Sequence, residues 1–463
     1  MTLPTAPSSG LSWLARLRRG LAPALTGLPL ILPLALSGCG IADWLGAADA
    51  PPLPGQRISV LQHSQTLEAD PALASQSVML PAPQKRTGWP QAGGGAEHSP
   101  GHPGLAETAA GGALKEVWRA GIGGSSLRPL SGPVVAEGRI YAFASDSTVH
   151  ALDEATGRSL WETDLTPESE DGDVLGGGVA FADGKLFATT GYAEMAALDP
   201  VSGAILWRSR VAGPLRAAPV AAAGRVYAVT VDNQMVALNA EDGKTAWEHA
   251  GLEEVAGILG AASPAVGAGV AVAPYSSGEI FALRTENGRP AWADSLASAR
   301  RTDPLSTLAD ISGLPVIDRD QVFVTSHGGR TAAYDLRTGA RLWESDIGGT
   351  QTPLPVGEVV FLVTGDAELV ALTRREGRIR WVAPLERYRR PEKRTDPVIW
   401  AGPVLAGGLL WLCNNQAQLV AASAEDGRVQ ATLTLPDAAT LPPVVVNNTL
   451  LVQTHGGSIV AYR

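Results

Sequence analysis

Ala151-Leu152-Asp153-Glu154-Ala155-Thr156-Gly157, followed four residues later by Trp161, is a phrase this chain repeats along most of its length. The same seven-residue frame, alanine first and glycine last, returns at Ala197–Gly203, Ala237–Gly243, Ala282–Gly288, Ala333–Gly339, Ala371–Gly377 and Ala421–Gly427. In five of those copies a tryptophan again stands four residues past the glycine, at Trp207, Trp247, Trp292, Trp343 and Trp381, while the last copy has Ala431 there. Successive frames begin 38–51 residues apart. A repeat of that length is one supersecondary unit that cannot bury its apolar face alone and must stack on its neighbours.

Around the first frame the unit can be read strand by strand. Gly132-Pro133-Val134-Val135-Ala136 is a short apolar strand, Glu137-Gly138 a turn, and Arg139-Ile140-Tyr141-Ala142-Phe143-Ala144 an alternating second strand. Val149-His150-Ala151-Leu152 gives a third, Ala155-Thr156-Gly157 turns the chain, and Leu160-Trp161-Glu162 gives a fourth. Alternation with a period of two, bounded by Gly, Asp and Asn, is the signal of antiparallel hairpins. Four such strands per repeat predict a propeller blade. The final repeat supplies Pro443–Val446, Leu450–Gln453 and Ser458–Tyr462 and then ends, so it has three strands. Leu114-Lys115-Glu116-Val117-Trp118-Arg119 stands alone ahead of the first blade and is expected to complete the eighth. That arrangement closes the ring and covers a strand edge. The fold predicted is all-β, an eight-bladed propeller over residues 113–463. The tryptophans, with Trp118, are expected to fill the gaps between blades, each burying ~150–250 Å².

Composition agrees with this reading. Of 463 residues, 53 are glycine and 34 proline, and only 18% are charged, which favours short strands and tight turns over helices. The net charge of −10 becomes −13 if a basic leader carrying Arg16, Arg18 and Arg19 is removed, a poor match to nucleic acid. Such a leader is legible: an acid-free start, an apolar stretch Leu21–Gly38 broken by Pro23, Pro29 and Pro33, and then Leu36-Ser37-Gly38-Cys39. Residues 1–38 are expected to be a secretory signal, and residues 39–112, rich in proline and without visible periodicity, a flexible linker. Gly93–His102 is expected to be a flexible lead-in rather than a metal or phosphate loop.

Leu36-Ser37-Gly38-Cys39 resembles the lipobox of bacterial lipoproteins, which implies acylation of Cys39; Gly40 after it favours the outer membrane over the inner one. The Ala…Gly…Trp repeat resembles that of pyrroloquinoline-quinone (PQQ) dehydrogenase propellers. Combined with the lipobox, the proline-rich tether and eight blades, it is similar to the BamB family of lipoproteins of the outer-membrane β-barrel assembly machinery. That resemblance implies a non-enzymatic scaffold, lipid-anchored in the outer membrane and facing the periplasm, that binds POTRA domains of a BamA-type barrel subunit and assists insertion of outer-membrane proteins. The family's contact segments fall here on Ala256–Gly260, with Ile258 and Leu259, and on Leu308–Ser312, with Asp310 and Ser312. Asp310 fits an acidic position of that contact, whereas an arginine expected near Leu259 and an acid near Ser312 are missing, which leaves an apolar contact open.

Loop lengths point to the same segments independently. From blade tryptophan to the proline opening the next blade there are 12 residues for Trp207–Pro219, 17 for Trp247–Pro264, 23 for Trp292–Pro315 and 22 for Trp381–Pro403. All these connections emerge on one face, and length beyond what a ring needs suggests use. The two longest share Arg-Thr-Asp-Pro, at Arg301–Pro304 and Arg394–Pro397.

Two rival readings are weaker. PQQ-dependent alcohol dehydrogenases commonly carry two adjacent cysteines beside the cofactor, and this chain has only Cys39 and Cys413, far apart. A periplasmic propeller binding a small ligand or polysaccharide would want aromatic side chains around its channel, where Pro133-Val134-Val135, Pro219-Val220-Ala221 and Pro264-Ala265-Val266 are small and aliphatic. The seven histidines lack metal-ligand spacing, so no catalytic residue, metal or cofactor is expected. Cys413, within Leu409–Cys413, reads as a buried thiol. Arg387, Arg389, Arg390, Lys393 and Arg394 form a basic stretch in an acidic chain, read as a solvated loop or a patch for an acidic partner or anionic headgroups.

Overall fold

A computed structural model describes residues 66–463 apart from 74–75, 106–113, 125–127, 171, 173, 255–261 and 298–308. The signal segment and Cys39 lie outside the described residues. Eight four-stranded antiparallel sheets follow one another, and seven are simple meanders. Blade one, for example, is Val134–Ala136, Arg139–Phe143, Thr148–Asp153 and Ser159–Asp164. Blade eight takes Val444–Val446, Thr449–Gln453 and Ser458–Tyr462 from the chain's last residues and Glu116–Gly121 from upstream of blade one. Trp118 sits opposite Ala461, so the ring closes as the sequence predicts.

The register explains the repeated phrase. In six blades the frame's alanine lies directly across from the tryptophan, as in Ala151 with Trp161 and Ala237 with Trp247, and the ladder then slips by one residue. A bulge at that point twists the outer strand and re-aims its side chains. Each of these six tryptophans turns toward the next blade, where its indole lies on the frame glycine and its Nε1 donates to a carbonyl of the same turn. Trp161 donates to Pro200 at 3.1 Å, Trp247 to Thr285 at 2.9 Å and Trp343 to Arg374 at 2.7 Å. Gly243 has φ 70°, and a Cβ there would stand 2.6 Å from Trp207, so glycine is required twice over. Ala431 replaces tryptophan where the following blade has no such turn, because its third and fourth strands come from opposite ends of the chain.

The expected linker needs correction. Residues 76–105 are not a free tether but a strap across one end of the ring. Trp89 exchanges both backbone hydrogen bonds with Val135 of blade one, and Pro90 accepts from Phe181 of blade two. The Gln91 amide bonds both backbone groups of Ala221 in blade three. Ala96 and Glu97 accept from Val266 of blade four and Ile317 of blade five. Pro103 accepts from Gly407 of blade seven, and Arg86 from Asn447 of blade eight. The innermost strands otherwise offer unpaired backbone edges to the axis, and the strap caps them one bond at a time. Its partners change with every blade, which is why it shows no periodicity. Trp89, only 3% exposed, was the available signal: a tryptophan in a Pro/Gly-rich stretch has much to gain from burial.

Candidate partner-binding face

A four-stranded meander puts its first-to-second and third-to-fourth turns at one end, and the second-to-third turn and the exit to the next blade at the other. The strap lies at the former end. Glu97 reaches Gly267, Ser99 donates to Asp318, and Arg86 meets Asn447, all at first-to-second turns. The inter-blade connections therefore emerge at the opposite end, clear of the strap. On the axis a cavity of about 390 Å³ is lined by the lead-ins to seven of the first strands and floored by strap residues including Trp89 and His98.

The residues singled out from the sequence fare differently. Ile258 and Leu259 lie outside the described residues, as does Arg301–Pro304. Asp310 is only 6% exposed and its carbonyl accepts from the His327 amide, while Ile311 beside it is part of the core. Ser312 faces the axial cavity. The segment leading into blade five thus runs inward under the rim, with Ala309 against Gly278, and Asp310 and Ser312 do not form an exposed polar contact. An apolar residue inserted between two polar ones, Ile311, sets this course by taking its place in the core.

The segment leaving blade three does reach the surface. Gly251 donates to the Asn233 carbonyl and lies against the Tyr275 ring. Leu252 follows, with Glu253 and Glu254 exposed beyond it. Between blades six and seven the basic stretch is a small hairpin, Tyr388–Arg390 paired with Thr395–Pro397. Arg387 pairs with Asp366 at 2.5 Å and Arg390 with Asp396 at 3.2 Å, so part of its charge is neutralised locally. Its root is fixed by the Trp400 indole donating to the Glu386 carbonyl at 2.8 Å.

Among the described residues no group of His, Cys, Asp and Glu is arranged to hold a metal ion. Cys413 is buried, its Sγ 2.9 Å from the Leu441 carbonyl, and burial pushes its pKa up to about 12. The turn carboxylates Asp153, Asp199 and Asp335 are held below the usual carboxylate range first by the adjacent Thr156, Ser202 and Thr338 hydroxyls, a structural use.

Known proteins give this geometry a lineage. A family model described as outer membrane protein assembly factor BamB matches residues 108–172 and 145–383, more than half of the chain. The BamB of Yersinia pestis is 27% identical over 361 residues, covering 75% of this chain and 88% of that protein. The Vibrio cholerae BamB is 31% identical over 253 residues, covering 54% and 65%. Among solved structures, BamB from Moraxella catarrhalis superposes with a TM-score of 0.64 at 21% identity, over 76% of this chain and all of that one. A quinohemoprotein alcohol dehydrogenase from Comamonas testosteroni superposes with a TM-score of 0.63 at 14% identity, over 81% and 80%, a likeness of fold alone. The chain belongs to the family of outer membrane protein assembly factor BamB.

Proposed function

We propose that this protein is a non-catalytic scaffold of the outer-membrane β-barrel assembly machinery. It is held at the outer membrane, facing the periplasm, by acyl chains on Cys39, and it binds the POTRA domains of the BamA-type barrel subunit through connectors leading to blades four and five. Acylation supplies membrane affinity that the acidic body lacks; more than one chain makes the anchoring stable.

The observation that carries the reading is the asymmetry of the ring. A strap that bonds to the first strands of blades one to five and to the turns of blades seven and eight occupies one end. The other end keeps the long connectors, which a ring does not need for closure. That asymmetry supports a binding face restricted to that end. Asp310, being buried, is left out of the contact, and the apolar pair Ile258 and Leu259 remains as the candidate.

The test is co-purification with the POTRA region, alongside a thermal melt. Ile258→Asp and Leu259→Asp, separately, should reduce capture of the barrel subunit with little change in melting, since an inserted charge would have to be desolvated without a partner. Glu137→Ala, in a turn at the strap end, should leave capture intact. Normal capture by both loop variants would move the binding face elsewhere.

A further inference from the structure

We infer that Leu252 is a preorganised anchor of the partner-binding face, and that it enters an apolar pocket with a basic rim on the partner. The inference rests on the POTRA-binding reading above and adds to it a specific contact and its chemistry.

Leu252 is 64% exposed. Single exposed hydrophobic residues are ordinary on any protein surface. Most of the others here, such as Val117, Leu206, Leu342 and Val429, lie on outermost strands, where alternate residues must face solvent. Leu252 lies on no strand. It stands at the end where the inter-blade connections emerge, and its backbone is held on both sides. The Asn233 Nδ2 donates to its carbonyl at 2.6 Å, and its own amide donates to Glu279 Oε2 at 2.7 Å.

Both holding groups are themselves fixed. Asn233 is buried, and its Oδ1 accepts from the Ser276 amide at 2.9 Å and hydroxyl at 3.0 Å. Glu279 Oε2 also accepts from the Ser277 hydroxyl at 2.9 Å. Gly251, one residue earlier, lies so near the Tyr275 ring that an added Cβ would stand 2.6 Å from it. Tyr275 in turn meets His249 Nδ1 through its hydroxyl at 2.8 Å, and Phe281 packs on that histidine with centroids 4.5 Å apart. A polar network joining blades three and four thus fixes the main chain of a leucine whose side chain makes little use of it in this molecule. An anchor held in place beforehand loses less freedom on binding, and a few such buried side chains dominate most interfaces.

The surroundings state the partner's chemistry. Glu253 and Glu254 follow, both exposed, in a chain whose net charge is already negative. An apolar anchor edged by carboxylates is complementary to an apolar pocket edged by Lys or Arg. Rim charges of this kind act mainly on association rate and salt dependence.

The experiment measures binding of the mature full-length protein to the POTRA region of the barrel subunit. Leu252→Ser should raise Kd about tenfold or more with an unchanged melt. Asn233→Gly keeps the leucine and tolerates the positive φ of 56° at that position, but removes the brace; it should raise Kd severalfold. Glu253→Lys with Glu254→Lys should slow association and flatten its salt dependence. If wild type binds and Leu252→Ser stays within twofold of it, the anchor is overturned and the broader reading survives. Failure of the wild-type protein to bind removes the partner and the anchor together.

Discussion

His98 Nδ1 lies 2.8 Å from the Pro315 carbonyl, while its Nε2, equally buried, has no hydrogen-bond partner among the described residues. The contact joins the strap to blade five and requires a proton on Nδ1, while the burial of an unpartnered Nε2 disfavours a second proton there. Burial holds the His98 pKa down at about 4, against 6.5 for a free imidazole. Glu97, raised by its own burial and by nearby Asp318, is the adjacent titratable group on the strap, and Asp318 accepts from Ser99 at 2.9 Å.

A pH dependence follows, with a definite sign. Between about pH 6.5 and 4 the unfolded chain takes up a proton at this position and the folded chain does not. The stability contribution is therefore complete above pH 6.5 and is lost as pH falls toward 4. At 1.36 kcal/mol per pKa unit the loss is on the order of 3 kcal/mol. Four other histidines are also depressed by burial, so the measurement is a difference. Urea midpoints for wild type and His98→Asn should converge as pH is lowered through that window. Parallel curves would show that His98 is not the titrating group.

The strap itself should be part of the cooperative fold. Trp89→Ala removes a side chain that is 3% exposed, packed in the core beneath the blade-one ladder and under the Arg86 guanidinium at 5.1 Å. Tryptophan-to-alanine changes in cores cost about 3–5 kcal/mol. We expect a loss of that size in urea unfolding, and a comparable or larger loss on deleting residues 66–105. A chain lacking 40–62 should unfold as the mature protein does. Equal midpoints for the 66–105 deletion and the mature protein would mean that the ring needs no strap.

Glycine requirements at two positions of blade three can be separated. Gly224 has φ 73° and open space where a Cβ would go, so Gly224→Ala carries backbone strain alone, about 1–2 kcal/mol. Gly243 has nearly the same φ, 70°, but its Cβ would collide with Trp207 and the Ser209 hydroxyl. Gly243→Ala should therefore cost clearly more, because the neighbouring blade must also shift. Equal losses would mean the tryptophan seat is soft.

These two glycines also mark what was legible in the sequence. The Ala…Gly…Trp phrase could be read directly because one contact recurs at every blade junction except that between blades seven and eight: alanine opposite tryptophan, tryptophan against the next glycine. Ring closure was readable because one strand was missing at the end and one was spare at the start. The strap was not, since its bonds to Val135, Phe181, Ala221, Val266 and Ile317 each belong to a different blade. At the connector end, length singled out the junctions before blades four, five and seven but not which of their residues are exposed. Asp310 sits on a long connector and is buried where the chain turns inward at Ile311, while the setting of Leu252 was not legible because its brace, Asn233, comes from a turn nineteen residues earlier.

The two cysteines give a count that tests the anchor. Cys413 is inaccessible, its Sγ on the Leu441 carbonyl and its pKa pushed up to about 12, so almost no thiolate exists to react at neutral pH. If Cys39 carries a thioether-linked lipid, the mature folded protein should show no reactive thiol, and the unfolded protein one per chain. An unmodified Cys39 would add one to the count of the unfolded protein. Cys39→Ser should block processing and leave a longer chain retaining residues 1–38, again with one thiol on unfolding. Alkylation with and without denaturant, read by intact mass, distinguishes these cases. Two thiols in the unfolded mature protein would refute the lipid anchor while leaving the propeller and its partner face untouched.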